Sequence, residues 1–225
     1  YARSASTRGV EIHQHTEVKS LLRDKDGTIK GVETNRGTVL ANKVAVVVSG
    51  HTTTITETAG LRLPIKSFNL AAFVSEPVKP LIDVIVNCPD LGVYLNQSDK
   101  GELVIGGAPD PGQSFRRDVK QNVFEEAVVT MLELFPAFRR LKLLRQWGGV
   151  LDIAHDATPI ISATDIPGLF VSCGWWGGFK AVPAGGYTLA HLIATGQPHN
   201  VAAPFTLDRF HHLDFIVESG TTTAR

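Results

Sequence analysis

The chain opens with short runs in which hydrophobic and polar residues alternate, a pattern typical of strands. Residues 1–8 read as the end of a helix, and the alternation over 10–24 predicts one strand followed by another. The run VAVVV at 44–48 is apolar throughout, and we expect a strand buried on both faces, as central parallel strands are. Residues 9–60 are therefore predicted to form a small β-meander that returns to a buried parallel strand.

A different pattern follows in residues 61–140. Stretches such as VIVNCPD and LGVYLNQSDKGELVIGGAPDP are apolar segments split by turn residues, which predicts an antiparallel layer. Between 119 and 135 the apolar residues recur with helical spacing, and Pro136 stops that pattern. The helical set is Val119, Val123, Ala127, Val128, Met131 and Phe135. We expect this helix to pack on the antiparallel sheet.

The last part of the chain returns to the α/β pattern. GLFVSCG reads as a short buried strand, and the helix AGGYTLAHLIATG, which Pro183 helps to start, ends at Gly196. Residues 201–225 are predicted to be a tail that wraps the surface and frays at its end.

Composition and charge narrow the possible functions. The 225 residues carry 22 Lys and Arg against 22 Asp and Glu, and the absence of a basic block argues against nucleic acid and anionic membranes as partners. No apolar run is long enough to span a bilayer. The two cysteines, Cys88 and Cys173, form no CxxC pair, which favours a reducing, cytoplasmic setting. We expect no metal site, because no Cys and His residues have the spacing of one.

The segment between the last strand and helix, GWWGGFKAVPAGG, carries the clearest chemistry. It holds five glycines in thirteen residues, and glycine lets another group approach the main chain closely. The following helix offers free N–H groups, and Lys180 adds a positive charge. These features indicate an anion or cofactor pocket at the carboxyl end of a sheet. The alternative is a tight turn with a surface lysine, and no GxGxxG motif is present.

Several sequence blocks resemble the D-amino-acid-oxidase superfamily of FAD-dependent oxidoreductases, and within it the β subunits of heterotetrameric sarcosine oxidases. The resemblance runs from Tyr1 to about Arg209. Its most specific blocks, in order, are KGELVIGG, ELFPAF, WGGVLDIAHDATPIIS, GLFVSCGWWGGFKAVPAGGYTLAHLIATGQPH and APFTLDRF.

This resemblance implies an α/β fold with an incomplete Rossmann-like FAD-binding domain and a substrate domain built on a mostly antiparallel sheet. The FAD-binding part would comprise 1–60 and 141–200, and the substrate domain 61–140. The implied reaction is oxidative demethylation of sarcosine to glycine, with hydride transfer to FAD and reoxidation by oxygen. FMN, tetrahydrofolate and other sarcosine oxidase subunits would belong to the whole hetero-oligomeric complex.

The resemblance also assigns site residues. Lys180 would pair with the carboxylate of a sarcosine-like substrate. The residues expected to line the flavin ring are Gly177, Gly178, Phe179, Trp147, Gly148 and Gly149. The backbone of Val18 would meet the adenine, and Gly50 would approach the dinucleotide. Asp156 is expected to cap a turn.

Other interpretations remain open. Tyr94 and Gln97 could face the pocket, whereas His13, His15 and His51 are expected to have no catalytic role. The chain could instead belong to a glycine oxidase, a dimethylglycine dehydrogenase or a D-amino-acid dehydrogenase, or it could be a binding fragment without catalysis. Because it begins without methionine, we expect it to be a piece of a longer protein that alone binds FAD poorly.

Overall fold

A computed structural model of the chain describes residues 1–216 and shows three sheets with helices packed against them. The strands are β1 Val18–Arg23, β2 Ile29–Thr34, β3 Gly37–Leu40, β4 Val44–Val46, β5 Ile65–Pro77, β6 Val86–Cys88, β7 Val93–Gln97, β8 Glu102–Gln113, β9 Leu143–Ala154, β10 Ile160–Ala163 and β11 Leu169–Cys173. The α-helices are α1 Ala2–Ser6, α2 Thr52–Thr56, α3 Gln121–Leu134, α4 Val182–Thr195 and α5 Asp208–His211.

The first sheet is an antiparallel meander in the order β1-β2-β3. The strand predicted ahead of Val18 is wrong, because residues 10–17 pair with no other strand. His15 has a φ of 55°, in the left-handed region, and this conformation interrupts an extended chain. The apolar side chains of Val10 and Ile12 remain exposed, so the alternation of apolar and polar residues here does not correspond to a strand with one buried face.

The second sheet has the order β10-β11-β4, and β4 runs parallel to β11 as predicted for this segment. Strand β11 is central and buried at every residue. The prediction that 44–48 is buried on both faces is wrong: β4 ends at Val46, and Val47 and Val48 are exposed. The reason is that Val47 and Val48 lie beyond the end of β4, in the segment that leaves the sheet. Strand β4 itself is an edge strand, with β11 as its one neighbour in the part of the chain described.

The third sheet has five antiparallel strands in the order β6-β7-β8-β5-β9. Four of them, β5 to β8, come from residues 61–118, for which an antiparallel layer was predicted. Helix α3 packs on one face, where it buries Val123, Ala127 and Met131 against Phe73 and Leu95. The predicted helix over 119–135 is thus confirmed to within two residues. In the described residues, neither α3 nor a core cluster covers the opposite face of this sheet.

The strand after residue 141, β9, joins this same sheet and pairs with β5 along nearly its whole length. The division of the chain into 1–60 with 141–200 and 61–140 stays a prediction. What the structure adds is that β9 belongs to the five-stranded sheet on one edge and contacts β11 of the second sheet.

Helix α4 begins with Pro183 in its first turn and ends at Gly196, whose φ of 74° closes the helix, as predicted. It packs on β10 and β11 through Leu189 and Leu192. Within residues 1–216, no helix combines the length and apolar content that crossing a membrane requires. The predicted fraying at the end of the tail concerns residues 217–225, which lie outside the described residues.

A buried ion pair fixes the chain after α4. Arg209 donates from Nε and Nη2 to the two carboxylate oxygens of Asp156, at 2.8 and 3.0 Å, and both side chains are less than 5% exposed. Arg209 also donates to the carbonyls of Thr158 and Thr206, and Asp156 accepts from the backbone N–H of Ile216. Asp156 also accepts a hydrogen bond from the backbone N–H of Thr158 in its own turn, at 3.3 Å. The predicted capping bond is therefore present in addition to the ion pair.

The Asp156–Arg209 pair makes the stability of the fold depend on pH. Burial alone raises the pKa of Asp156, but the hydrogen bonds from Arg209, Ile216 and Thr158 outweigh it and hold the pKa below its ordinary value. The stabilisation is therefore complete above the ordinary carboxyl pKa near 4 and is lost as the pH falls through the lowered value. We expect Asp156→Asn to lower the free energy of unfolding at pH 7 by about 3 kcal/mol and to flatten its dependence on pH below about 4.

Urea unfolding monitored by circular dichroism between pH 3 and 8 measures both effects. The matched control is Asp118→Asn, because Asp118 also makes a two-bond pair with an arginine, Arg116, but on the exposed surface. That change should lower the free energy of unfolding much less than Asp156→Asn does, because solvent screens an exposed ion pair. Equal losses in the two variants would contradict the role given to burial.

Candidate functional site

The candidate site lies where the parallel strands β4 and β11 end. Their paired residues run from Leu169 opposite Val44 to Val171 opposite Val46, so the segments that follow both strands leave the same edge of the sheet. These segments are a 3-10 turn over Ser49–His51 and the glycine-rich stretch from Gly174. The carboxyl edge of parallel strands is where open α/β sheets bind ligands.

Strand β9 lies against both segments. A Cβ on Gly50 would come within 2.3 Å of Cγ1 of Val150, and a Cβ on Gly174 would come within 2.8 Å of the Ala154 side chain. Glycine is required at these two positions because β9 approaches the main chain closely. At Gly50 the close neighbour is the protein itself, and the predicted approach of Gly50 to a dinucleotide stays a prediction.

The glycine-rich stretch is built around Trp175. The indole Nε1 donates to Ser172 Oγ at 3.0 Å. A Cβ on Gly185 would lie 2.7 Å from the indole ring, and a Cβ on Gly178 would lie 2.7 Å from Cβ of Trp175 and 3.1 Å from its ring. Gly177 has a φ of 66°, which favours glycine, and precedes the 3-10 turn Gly178–Ala181 that leads into α4. Internal packing therefore accounts for the glycine at 178; a contact of its backbone with a flavin stays a prediction.

Lys180 lies in this 3-10 turn with its side chain exposed. Its ammonium group donates to the carbonyl oxygen of Gly177 at 3.2 Å and forms no ion pair within residues 1–216. Next to it, the ring of Phe179 is 96% exposed, and Trp176 is also exposed. The turn thus presents a cation and two aromatic side chains that no described residue covers.

Strand alternation separates the three predicted residues of β9. Trp147 and Gly149 point to the open face of the five-stranded sheet, where Trp147 is 43% exposed and a Cβ on Gly149 would meet no atom within 4 Å. Gly148 points to the packed face, where a Cβ would lie 2.5 Å from the carbonyl oxygen of Arg117 and from Oδ1 of Asn69. Trp147 and Gly149 can therefore contact a ligand on the open face through their side-chain positions, whereas Gly148 cannot.

A row of residues crosses the open face on four neighbouring strands. Tyr94, Gly106, Ala72 and Trp147 are paired in succession across β7, β8, β5 and β9. The Tyr94 ring lies over Gly106, within 2.0 Å of where a Cβ would be, and burial raises the pKa of its phenol. The Tyr94 ring therefore covers Gly106, and the open part of this face lies over Gly149 beside Trp147. That part can accept a flat ring.

Gln97 does not face this surface, so its predicted position is wrong. It shares the packed face of the sheet with Leu103, its partner across β8. Its amide accepts hydrogen bonds from the N–H groups of Leu81 and Ile82 and donates to the carbonyl oxygens of Val78, Lys79 and Gly101. Gln97 therefore holds the loop after β5.

The remaining predicted residues have structural settings of their own. Val18 is half-buried at the start of β1, opposite Thr34, and its backbone contact with adenine stays a prediction. His51 stacks on Phe115, with ring centroids 5.6 Å apart, and His13 forms an exposed contact with Glu11. No three His, Cys, Asp or Glu side chains within residues 1–216 are grouped as metal ligands.

Two buried polar residues near the site were missed from the sequence. Asp152 is fully buried in β9 and accepts hydrogen bonds from Ser49 and Thr52. Ser67, its partner on β5, donates to the carbonyl oxygen of Gly50 at 2.7 Å. The signal was available for Asp152, because an acidic residue at an inward position of an apolar strand, as in GVLDIA, calls for a polar partner.

Comparison with known proteins agrees with this architecture. The family described as FAD dependent oxidoreductase (DAO) matches residues 1–192. The chain is 46% identical over 220 residues to sarcosine oxidase subunit beta of Rhodobacter capsulatus, which covers 97% of this chain and 53% of that protein. It is 44% identical over 221 residues to sarcosine oxidase subunit beta of Arthrobacter sp, with coverage of 98% and 54%. The chain thus spans about half the length of these relatives.

Solved structures show the same fold. L-proline dehydrogenase from P. horikoshii superposes with a TM-score of 0.86 at 26% identity, covering 94% of this chain and 58% of that one. Glycine oxidase from Geobacillus kaustophilus superposes with a TM-score of 0.80 at 23% identity, covering 92% and 55%. The predicted α/β fold and the predicted superfamily are confirmed. The chain belongs to the DAO family of FAD-dependent oxidoreductases.

Proposed function

We propose that this chain is part of the flavin-containing subunit of a sarcosine oxidase-like enzyme, which oxidatively demethylates sarcosine to glycine. The observation that carries the proposal is the 44–46% identity, over 97–98% of the chain, to proteins named sarcosine oxidase subunit beta. The glycine oxidase fold is shared at only 23% identity, so it favours the superfamily without favouring that substrate.

The open face of the five-stranded sheet fits a flavin ring. The space over Gly149 is free, Trp147 stands beside it, and Tyr94 lies farther along the same face. FAD, when bound, accepts the hydride and returns the electrons to oxygen. In this proposal Trp147 and Gly149 lie against the ring, Gly148 holds the strand on its packed side, and the main chain at Gly50 and Val18 contacts the dinucleotide.

The turn before α4 supplies the substrate contact. Gly177, Gly178 and Phe179 lie beside the ring, and Lys180 pairs with the substrate carboxylate. Two observations support this role for Lys180: its ammonium is exposed, and its hydrogen bond to Gly177 keeps it at the start of a helix whose positive end also favours an anion. A carboxylate can replace the Gly177 carbonyl as the acceptor without burying an unpaired charge.

Other components belong to the complete enzyme. The names of the relatives indicate that further subunits assemble with it, and we propose FMN and tetrahydrofolate as cofactors of that assembly. A cytoplasmic location is proposed as well, supported by the two free cysteines, Cys88 and Cys173. Burial raises the pKa of the Cys173 thiol, which leaves it unreactive.

The first test is turnover by the complete enzyme that contains this chain, because the chain alone is expected to bind FAD poorly. We expect a yellow preparation with flavin absorbance that oxidises sarcosine and releases hydrogen peroxide. Glycine, dimethylglycine and D-alanine should be poor substrates. Preference for one of these would assign the chain to another member of the family, and a colourless protein without turnover would favour a binding fragment.

Replacing Lys180 tests the substrate contact. We expect Lys180→Met to raise the KM for sarcosine by about 10- to 100-fold, because a charge-assisted hydrogen bond contributes about 1.5–3 kcal/mol. The bound flavin should remain, as its absorbance spectrum reports. The control Lys25→Met changes an exposed lysine in the turn before β2 and should leave the KM unchanged. Loss of flavin from the Lys180 variant would show that the lysine is misplaced.

Replacing Gly149 tests the open face. A valine there meets no atom of the protein within 4 Å of its Cβ, so the fold should tolerate it, but its branches occupy the space proposed for the ring. We expect Gly149→Val to weaken FAD binding by at least tenfold, measured by quenching of flavin fluorescence. Gly112→Val is the matched control, since Gly112 also lies in a strand with nothing near its Cβ position. Equal affinity in all three proteins would contradict this placement.

A further inference from the structure

Two buried polar side chains form a pair across the five-stranded sheet, directly under the loop that follows β4. Ser67 on β5 and Asp152 on β9 are register partners and are 4% and 0% exposed. Both project from the packed face of the sheet. The segment above them, Ser49–Thr52, connects the last residues of β4 to α2.

Every side-chain hydrogen bond that the structure gives this pair goes to that segment. Ser67 Oγ donates to the carbonyl oxygen of Gly50 at 2.7 Å. Asp152 accepts from Ser49 Oγ at 3.4 Å through Oδ1 and from Thr52 Oγ1 at 3.2 Å through Oδ2. Thr52 Oγ1 also lies 2.6 Å from the carbonyl oxygen of Ser49, so its one proton is shared between two acceptors on either side of the turn.

The segment held in this way has an unfavourable backbone conformation. Ser49 has a φ of 49°, in the left-handed region that residues with a side chain rarely adopt. Gly50 is pressed so closely on β9 that a Cβ would lie 2.3 Å from Val150. Such a conformation persists only where the surroundings fix it, and it is concentrated at functional sites.

Stability alone does not account for the aspartate. Asp152 forms no ion pair within residues 1–216, and its neighbours at inward positions of β9 are Val150 and Ala154. Burying a carboxyl group with only hydroxyl partners is costly, and an apolar residue at such a position is usually tolerated better. The aspartate instead fixes the conformation of the turn. Together with Ser67 it holds three groups of that turn by hydrogen bonds: the Ser49 hydroxyl, the Gly50 carbonyl and the Thr52 hydroxyl.

We propose that Asp152 and Ser67 are positioning residues that hold Ser49–Thr52 in the conformation that contacts FAD. This inference rests on the proposed function, since the turn lies at the carboxyl edge of β4 and β11, where we place the dinucleotide. The five-stranded sheet therefore has two roles in this proposal. Its open face accepts the flavin ring, and its packed face fixes the conformation of the turn Ser49–Thr52, which contacts the rest of FAD.

The experiment compares matched hydroxyl deletions on one strand. Ser67→Ala removes the bond to Gly50. Ser75→Ala is the control, because Ser75 is equally buried in β5 and bonds Leu103 N–H and the Glu76 carbonyl, away from the turn. Two further pairs of variants separate hydrogen bonding from packing. Thr52→Val and Asp152→Leu introduce side chains that cannot form hydrogen bonds. Thr52→Ser and Asp152→Asn introduce side chains that can.

Two quantities are measured in each variant of the complete protein: the FAD dissociation constant from flavin fluorescence, and hydrogen exchange of the amides of 49–52 without flavin. We expect Ser67→Ala, Thr52→Val and Asp152→Leu to speed exchange in this segment and to raise the dissociation constant at least tenfold. Ser75→Ala, Thr52→Ser and Asp152→Asn should stay within about threefold of the unaltered protein. Equal weakening by Ser67→Ala and Ser75→Ala would overturn the proposal, because it would reflect general destabilisation.

Failure of the proposed function gives a different result. If the unaltered complete protein binds no FAD, the assignment of the cofactor site fails, and hydrogen exchange alone then tests the positioning of the turn. Faster exchange at 49–52 in Ser67→Ala but not in Ser75→Ala would then support the positioning role. Unchanged exchange in both variants would overturn it.

Discussion

The packed face of strand β9 is the constraint on which the rest of the site depends. Four alternate residues, Gly148, Val150, Asp152 and Ala154, together meet three other segments of the chain. Gly148 meets the backbone at Arg117, Val150 and Asp152 meet the turn Ser49–Thr52, and Ala154 meets the main chain at Gly174. One strand thereby fixes the distance between the antiparallel sheet and both segments that leave the parallel strands. The opposite face of the same strand is left free for a ligand.

This arrangement explains why so many glycines gather around the site. They are required less by a ligand than by the protein's own close contacts: β9 against Gly50 and Gly174, and Trp175 against Gly178 and Gly185. Gly149 is the exception in β9, since its missing side chain leaves open space. A glycine near a binding site can therefore serve two purposes, bringing protein segments together or leaving room for a cofactor, and only its surroundings distinguish them.

Local patterns predicted the elements whose burial is set by near neighbours in the sequence. The helix over 119–135, the buried strand β11 and the end of α4 at Gly196 followed from periodicity and capping, which depend on residues a turn or two apart. The errors occurred where a partner strand decides. Val47 and Val48 are as apolar as the residues of β11, yet they are exposed because the chain leaves the sheet after Val46. Likewise Gln97 was placed toward the pocket, because strand parity cannot be assigned without the register.

By itself, the sequence determined the class of the protein: α/β, belonging to a family of FAD-dependent oxidoreductases, with a lysine in a glycine-rich turn before a helix. Composition, periodicity and ordered sequence blocks carry that information because each is local. Only the tertiary structure decided that Trp147 and Gly149 share an open face, that Gly148 does not, and that Asp152 lies beneath the turn at Gly50. Those relations depend on strand register and on contacts between residues about one hundred positions apart, which no local pattern encodes.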